Sequence, residues 1–198
     1  MPISEAIPAQ NFELIRDRIA VILGAEFVSQ KAITTNVLYD ATIWVERFIS
    51  FDKNELPAIK VYFDNSSFDK DSPYASKGES KYIIAISVNN PNTSTKRGDK
   101  QSSVDAQKIA GAIRYIFEHT IYKTLSFSTG FIEGIEITDI ITSVPITGDS
   151  LHTYTCNLVL NVRHTETNGL EVPTQAVEQI NSIVKLEETE KGYLIVKT

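Results

Sequence analysis

Ala58-Ile59-Lys60-Val61-Tyr62-Phe63-Asp64 alternates apolar and polar side chains without a break. Ile59, Val61 and Phe63 fall on one side of an extended chain; Lys60, Tyr62 and Asp64 fall on the other. A period of two marks a strand with one dry face and one wetter face, whereas an amphipathic helix repeats its apolar residues at three and four. The chain therefore contains a sheet with a face to bury, and its other segments have to supply the cover.

Working outward, residues 41–50 alternate in the same way, with Ile43, Val45 and Ile49 on one parity against Trp44, Glu46 and Phe48. Asp52-Lys53-Asn54-Glu55-Leu56-Pro57 between the two runs reads as a turn. A third strand is expected over 81–89, with Tyr82, Ile84, Ile86 and Val88 on one face. Residues 65–80 are polar and carry Pro73 and Gly78, so a long loop is expected there. Residues 90–102 hold no apolar residue except Pro91 and read as a second one. Loops of such length are uncommon unless they are functional or disordered.

Two helices can cover the sheet. Phe12, Ile15, Ile19, Ile22 and Leu23 recur at helical spacing over 11–28, with Asn11 as the expected N-cap. Ala106, Ile109, Ala110, Ile113, Ile116 and Phe117 do the same over 103–123. There Ser102, with Asp105 three residues on, resembles a capping box. Residues 130–144 and 150–165 read as a long hairpin turning near 145–149. On its second strand Tyr154, Cys156, Leu158, Leu160 and Val162 share one face; Thr153, Thr155, Asn157, Asn161 and Arg163 share the other. Further on, Pro173 stands where a helix could start, and Ala176, Val177, Ile180 and Ile183 continue at helical spacing. The apolar run Tyr193-Leu194-Ile195-Val196 would be a hazard if left bare, so it is expected to pair with something. The order α-β-β-β-α-β-β, then a helix and a short strand, predicts an α+β fold: a mostly antiparallel sheet with two main helices on one face. Residues 1–165 form the expected domain, and 166–198 an extension packed on it or on a neighbouring subunit.

Composition narrows the function. The chain has 198 residues, 42% of them hydrophobic and 22% charged, which suits one domain with a substantial core. A net charge of −6 opposes binding to duplex nucleic acid, which favours basic proteins. With one cysteine, Cys156, no internal disulfide can form, in keeping with a reducing compartment. The first residues show no basic and apolar secretory pattern, and no run approaches a membrane span.

Chemical motifs are sparse. The histidines are His119, His152 and His164, and no His-Glu-x-x-His or Cys-x-x-Cys zinc spacing occurs. His152 and His164 share parity with Cys156, but they would lie ~40 Å apart along an extended strand, too far to ligate one metal. Cys156 reads as a small buried hydrophobe. Ser128-Thr129-Gly130 lacks the pattern of a nucleophile elbow, and no Walker loop is present. Gly130 and Gly134 suit a turn or bulge. Glu133, Glu136 and Asp139 read as the solvated edge of a strand. Arg97-Gly98-Asp99 matches a cell-adhesion tripeptide by chance, and its loop carries a small basic cluster of Lys96, Arg97 and Lys100. Trp44 is expected in the core or as an interface anchor. No catalytic, cofactor or metal residues are assigned, and no enzymatic activity is expected.

The arrangement of elements resembles the tail-terminator and tail-completion proteins of tailed bacteriophages, over about residues 11 to 165. The resemblance rests on the first helix, three strands, the helix opening Ser103-Val104-Asp105-Ala106-Gln107-Lys108-Ile109-Ala110, and the hairpin ending Tyr154-Thr155-Cys156-Asn157-Leu158-Val159-Leu160-Asn161-Val162. It implies a structural virion protein of the tail or neck, assembled in the host cytoplasm. Such a subunit closes into a homo-hexameric ring, caps the tail tube, and meets tube protein and head-completion or neck proteins. DNA is only passing cargo, and neither membrane nor cofactor is involved. Phe68, Tyr74, Lys96, Arg97 and Lys100, on the two expected loops, become candidate interface residues. The competing expectations are another neck or connector protein, or a stand-alone ligand-binding module or small enzyme of α+β fold.

Overall fold

The computed structural model describes residues 6, 9–47, 51, 53–69, 75–91, 98–143 and 152–167. Two helices, α1 (Asn11–Thr34) and α2 (Gly98–Glu118), pack on a five-stranded sheet of β1 (Thr42–Val45), β2 (Ala58–Asp69), β3 (Ala75–Asn90), β4 (Ile132–Ser143) and β5 (His152–Thr167). The strand order is β1-β2-β3-β5-β4. The fold is α+β, and the chain order of its helices and strands is the one the periodicities predict.

The core lies between the helices and one sheet face. Ile59 and Val61 of β2, Tyr82, Ile84, Ile86 and Val88 of β3, and Cys156, Leu158, Leu160 and Val162 of β5 meet Ile15, Ile19, Ile22, Leu23 and Phe27 of α1. Ala106, Ile109, Ala110, Ile113, Ile116 and Phe117 complete it from α2. The expected apolar stripes of α1, α2, β3 and β5 are buried apart from Phe12, which is half-exposed with its ring 4.7 Å from the half-buried Phe63; on β1, Ile43 is half-buried and Val45 exposed.

Several boundaries differ from expectation, each for a local reason. The first helix starts one residue after Gln10, not Asn11: the Gln10 N–H donates to the Glu13 carboxylate at 2.8 Å. Asn11 instead donates to the Thr165 carbonyl at 3.2 Å, tying the helix start to β5. Residues 65–80 are not one long loop. β2 runs on to Asp69 and β3 begins at Ala75, so the hairpin arm extends well past the core. A register shift between Phe63 and Asn65 breaks the alternation there. Beyond it Ser66 faces Ser80, their hydroxyls 2.6 Å apart. Such a rung is satisfied by hydrogen bonds and leaves no apolar signature in the sequence.

The first strand is short, and it is parallel to β2, with Thr42 opposite Ala58 and Val45 opposite Val61. A parallel pair requires a crossover between its strands, and the 3-10 turn Lys53–Glu55 lies in it. The second helix begins at Gly98, inside the expected loop, and ends at Glu118. Ser102 is consequently not a cap: it is buried, and its hydroxyl accepts the Asn90 N–H at 2.8 Å while Asp105 accepts the Asn90 amide at 3.0 Å. The pair predicted to start the helix clamps it to the end of β3. The expected helix and strand after residue 167, and the turn at 145–149, lie outside the described residues.

Candidate functional site

Each strand sends alternate residues to the face opposite the helices. On β2 these are Ala58, Lys60 and Tyr62; on β3, Ile83, Ala85, Ser87 and Asn89; on β5, Thr155, Asn157, Val159 and Asn161. No described helix packs on this face. It carries the residues expected on the second face of β5, now joined by Trp44, which sits beside Lys60.

The face is polar in an unusual way. Five buried side-chain polar atoms among the described residues have no hydrogen-bond partner, and four of them are here: Trp44 Nε1, Asn89 Oδ1, Asn157 Oδ1 and Asn161 Oδ1. A buried donor or acceptor left unmade costs about 1–3 kcal/mol, so four such atoms spread over one face are consistent with a partner that completes them. At the β1 side a cation–aromatic group adjoins the face. The Arg47 guanidinium lies 4.3 Å from the Trp44 ring and 4.8 Å from that of Phe51. Lys60 Nζ lies 4.5 Å from the Phe51 ring. Glu55 holds Arg47 through two parallel bonds of 2.8 Å. Burial, with Arg47 nearby, lowers the Lys60 pKa. A fixed guanidinium over indole presents a flat, rigid, amphipathic patch.

A second cluster occupies the helix side of the sheet at the far end of β3. His164 Nε2 and Ser80 Oγ are 2.7 Å apart, and Ser80 bonds Ser66. Glu166 Oε1 lies 3.3 Å from His164 Nδ1, although Nδ1 makes no hydrogen bond. This Ser–His–Glu series has the composition of a hydrolase triad and went unnoticed in the sequence, because its members come from two distant strands. It lacks what a triad needs. Ser80 and His164 are both fully buried, so no substrate carbonyl could approach the hydroxyl. Burial lowers the His164 pKa despite the opposing pull of Glu133, and the ring stacks against Phe131 at 6.5 Å. The imidazole is a neutral structural group.

The other sequence-predicted residues are dispersed. Phe68 is 52% exposed and stands opposite Gly78, near the tip of the β2–β3 arm. Lys100 is exposed in the first turn of α2, beside the other end of β3. The length of β3 separates them. Tyr74, Lys96 and Arg97 lie outside the described residues. His119 is exposed, and its Nδ1 accepts the Ile121 N–H at 3.3 Å. Cys156 is fully buried, and burial raises its thiol pKa, as suits an inert hydrophobe. Gly130 has φ +90, and Gly134 follows a register shift on β4. Glu136 and Asp139 are exposed on that edge strand, and Glu133 is 3.8 Å from Lys77. No group of three or more metal-ligating side chains occurs among the described residues. None of the helices described is long and apolar enough to cross a membrane.

No family model matches the chain, and no curated protein does. Among solved structures, it is similar to a chain in the virion of a native gene transfer agent particle. The TM-score is 0.41 at 13% identity, over 70% of this chain and 92% of that one. A second solved chain is similar with TM-score 0.44 and 17% identity, over 78% of this chain and 96% of that one. Likeness this slight carries no functional weight.

Proposed function

We propose that this chain is a structural subunit of a phage-like virion, a tail terminator that closes into a ring, caps the tail tube and offers the head-joining surface. The observation that supports it most is the sheet face opposite the helices. Four buried polar atoms there lack hydrogen-bond partners, and the helices α1 and α2 pack on the other face. A face of that kind suits lateral contact between subunits, where a neighbour's polar groups complete the unpaired ones. The sheet also ends in two unlike edges, parallel-paired β1 and antiparallel-paired β4. Unlike surfaces are what a head-to-tail ring requires. Among the described residues, the catalytic-looking Ser80–His164–Glu166 series has its serine and histidine sealed in the core.

Phe68, Tyr74, Lys96, Arg97 and Lys100 serve in this proposal as contacts to neighbouring copies or to the tube. Phe68 and Lys100 stand at opposite ends of the sheet, so they would meet different partners.

Purified full-length protein added to phage tail tubes tests the proposal under the electron microscope. Discs at tube ends are expected, and the Lys96→Glu, Arg97→Glu double variant should fold normally yet join tails to heads poorly. A protein that ignores tubes and turns over a substrate at a defined cleft overturns it.

A further inference from the structure

β1 is an end strand of the sheet. Its Thr42 N–H donates inward to the Pro57 carbonyl at 3.2 Å, and the Glu46 N–H to the Val61 carbonyl at 3.0 Å. Because N–H directions alternate along a strand, those of Ile43 and Val45 point away from β2, and no described strand receives them. A cavity of about 740 Å³ lies beside this edge, between β1 and α1. Val21 and Val28 wall it from the helix, 60% and 72% exposed, with Ile43 and Val45 across from them. Gly24 lines the groove opposite Ile43, where a Cβ would make only an ordinary contact with Ile43 Cδ1 at 4.0 Å. Unpaired backbone next to an apolar wall is the arrangement that accepts an added strand.

The flanking chemistry defines the occupant. An added strand would send one set of side chains onto Val21 and Val28 and the alternate set toward the Trp44 side, so it should be apolar on both faces. Asp17 and Asp40 stand among the groove's lining residues; Asp40 pairs with Lys31, and Asp17 with Arg16. The two carboxylates remain 57% and 44% exposed, open to a further cation. Positions 17 and 31 are about 21 Å apart along a helix. Tyr193-Leu194-Ile195-Val196 is apolar at every position and lies between Lys191 and Lys197, which are about 20 Å apart in an extended chain. It lies outside the described residues. The chain leaves the described structure at Thr167 of β5, next to edge strand β4, whereas β1 is the opposite edge. The intervening residues could span roughly 80 Å, so length does not limit the reach.

We propose that the segment 193–196 of one copy adds a strand to β1 of the next copy and fills the α1–β1 groove. The assignment rests on the ring proposed for the chain and names the contact that would close it.

Amide hydrogen exchange on the full chain, with its mass measured in parallel, tests this. The Ile43 and Val45 amides should be protected in the wild-type assembly. In Leu194→Asp with Ile195→Asp they should exchange at least tenfold faster, with α2 amides unchanged. Mixing that variant, isotopically labelled, with Val21→Asp, Val28→Asp protein should restore protection on the labelled chain, because each supplies what the other lacks. A hexamer whose Ile43 and Val45 amides exchange freely leaves the ring standing and overturns the added strand. Protection in a persistent monomer, or protection that mixing does not restore, overturns exchange between copies and removes the ring contact with it.

Discussion

His164 shows how one residue ties sequence to stability. Its ring lies across Gly78, where an added Cβ would come 2.4 Å from the imidazole. Gly78→Ala should therefore cost about 2 kcal/mol in chemical denaturation through overpacking. Acid should act on the same group. The folded protein holds the His164 pKa below its ordinary value of 6.5, so the unfolded chain takes up the proton first. The stability it supports is complete above about pH 6.5 and falls as pH drops from there through the folded value. Glu166 shifts oppositely: burial raises its pKa, so it favours the fold as pH falls toward its own titration range. Urea midpoints between pH 8 and 5 should decline for the wild type and decline less for His164→Gln; equal slopes would remove His164 from the balance. The sequence marked this histidine only as a possible ligand. Its serine partners were invisible, because pairing across strands is not written locally. By contrast, the burial of Cys156 was plain from its parity with Tyr154, Leu158, Leu160 and Val162, although Val159 on the other parity is buried as well.

Elements were legible where their period was unbroken. α1, α2 and β5 carry regular apolar stripes, and their buried faces follow from spacing. The polar halves of β2 and β3 read as a loop in sequence because Ser66 and Ser80 satisfy each other by a hydroxyl pair and the bulge after Phe63 inverts parity. The parallel pairing of β1 was equally hidden, as alternation does not encode strand direction. The polar character of the second face was legible in composition, from Asn157 and Asn161, while its unpaired atoms required coordinates. Two outcomes follow for the helices. Ile19→Ala, at a fully buried position, should lower unfolding free energy by about 3 kcal/mol. Ser102→Ala should cost about 1–2 kcal/mol by stranding the Asn90 N–H, and hydrogen exchange should locate the loosening at the start of α2 and the end of β3. If Ser102→Ala left those amides as slow as before, the clamp would be immaterial.

For the whole molecule, the proposed function requires that the sheet bury one face in its own core and keep the other, with both edges, for assembly. In the proposed ring, Asn157→Arg on the second face should reduce self-association at least tenfold, since a guanidinium there would crowd the contact with a neighbour. The sedimentation mass of the full-length protein, alone and with tail tubes over a wide concentration range, tests the claim most directly. The account predicts a closed species six times the 22.1 kDa chain, formed freely or on the tube end. A 22.1 kDa monomer at every concentration, indifferent to tubes, would contradict it.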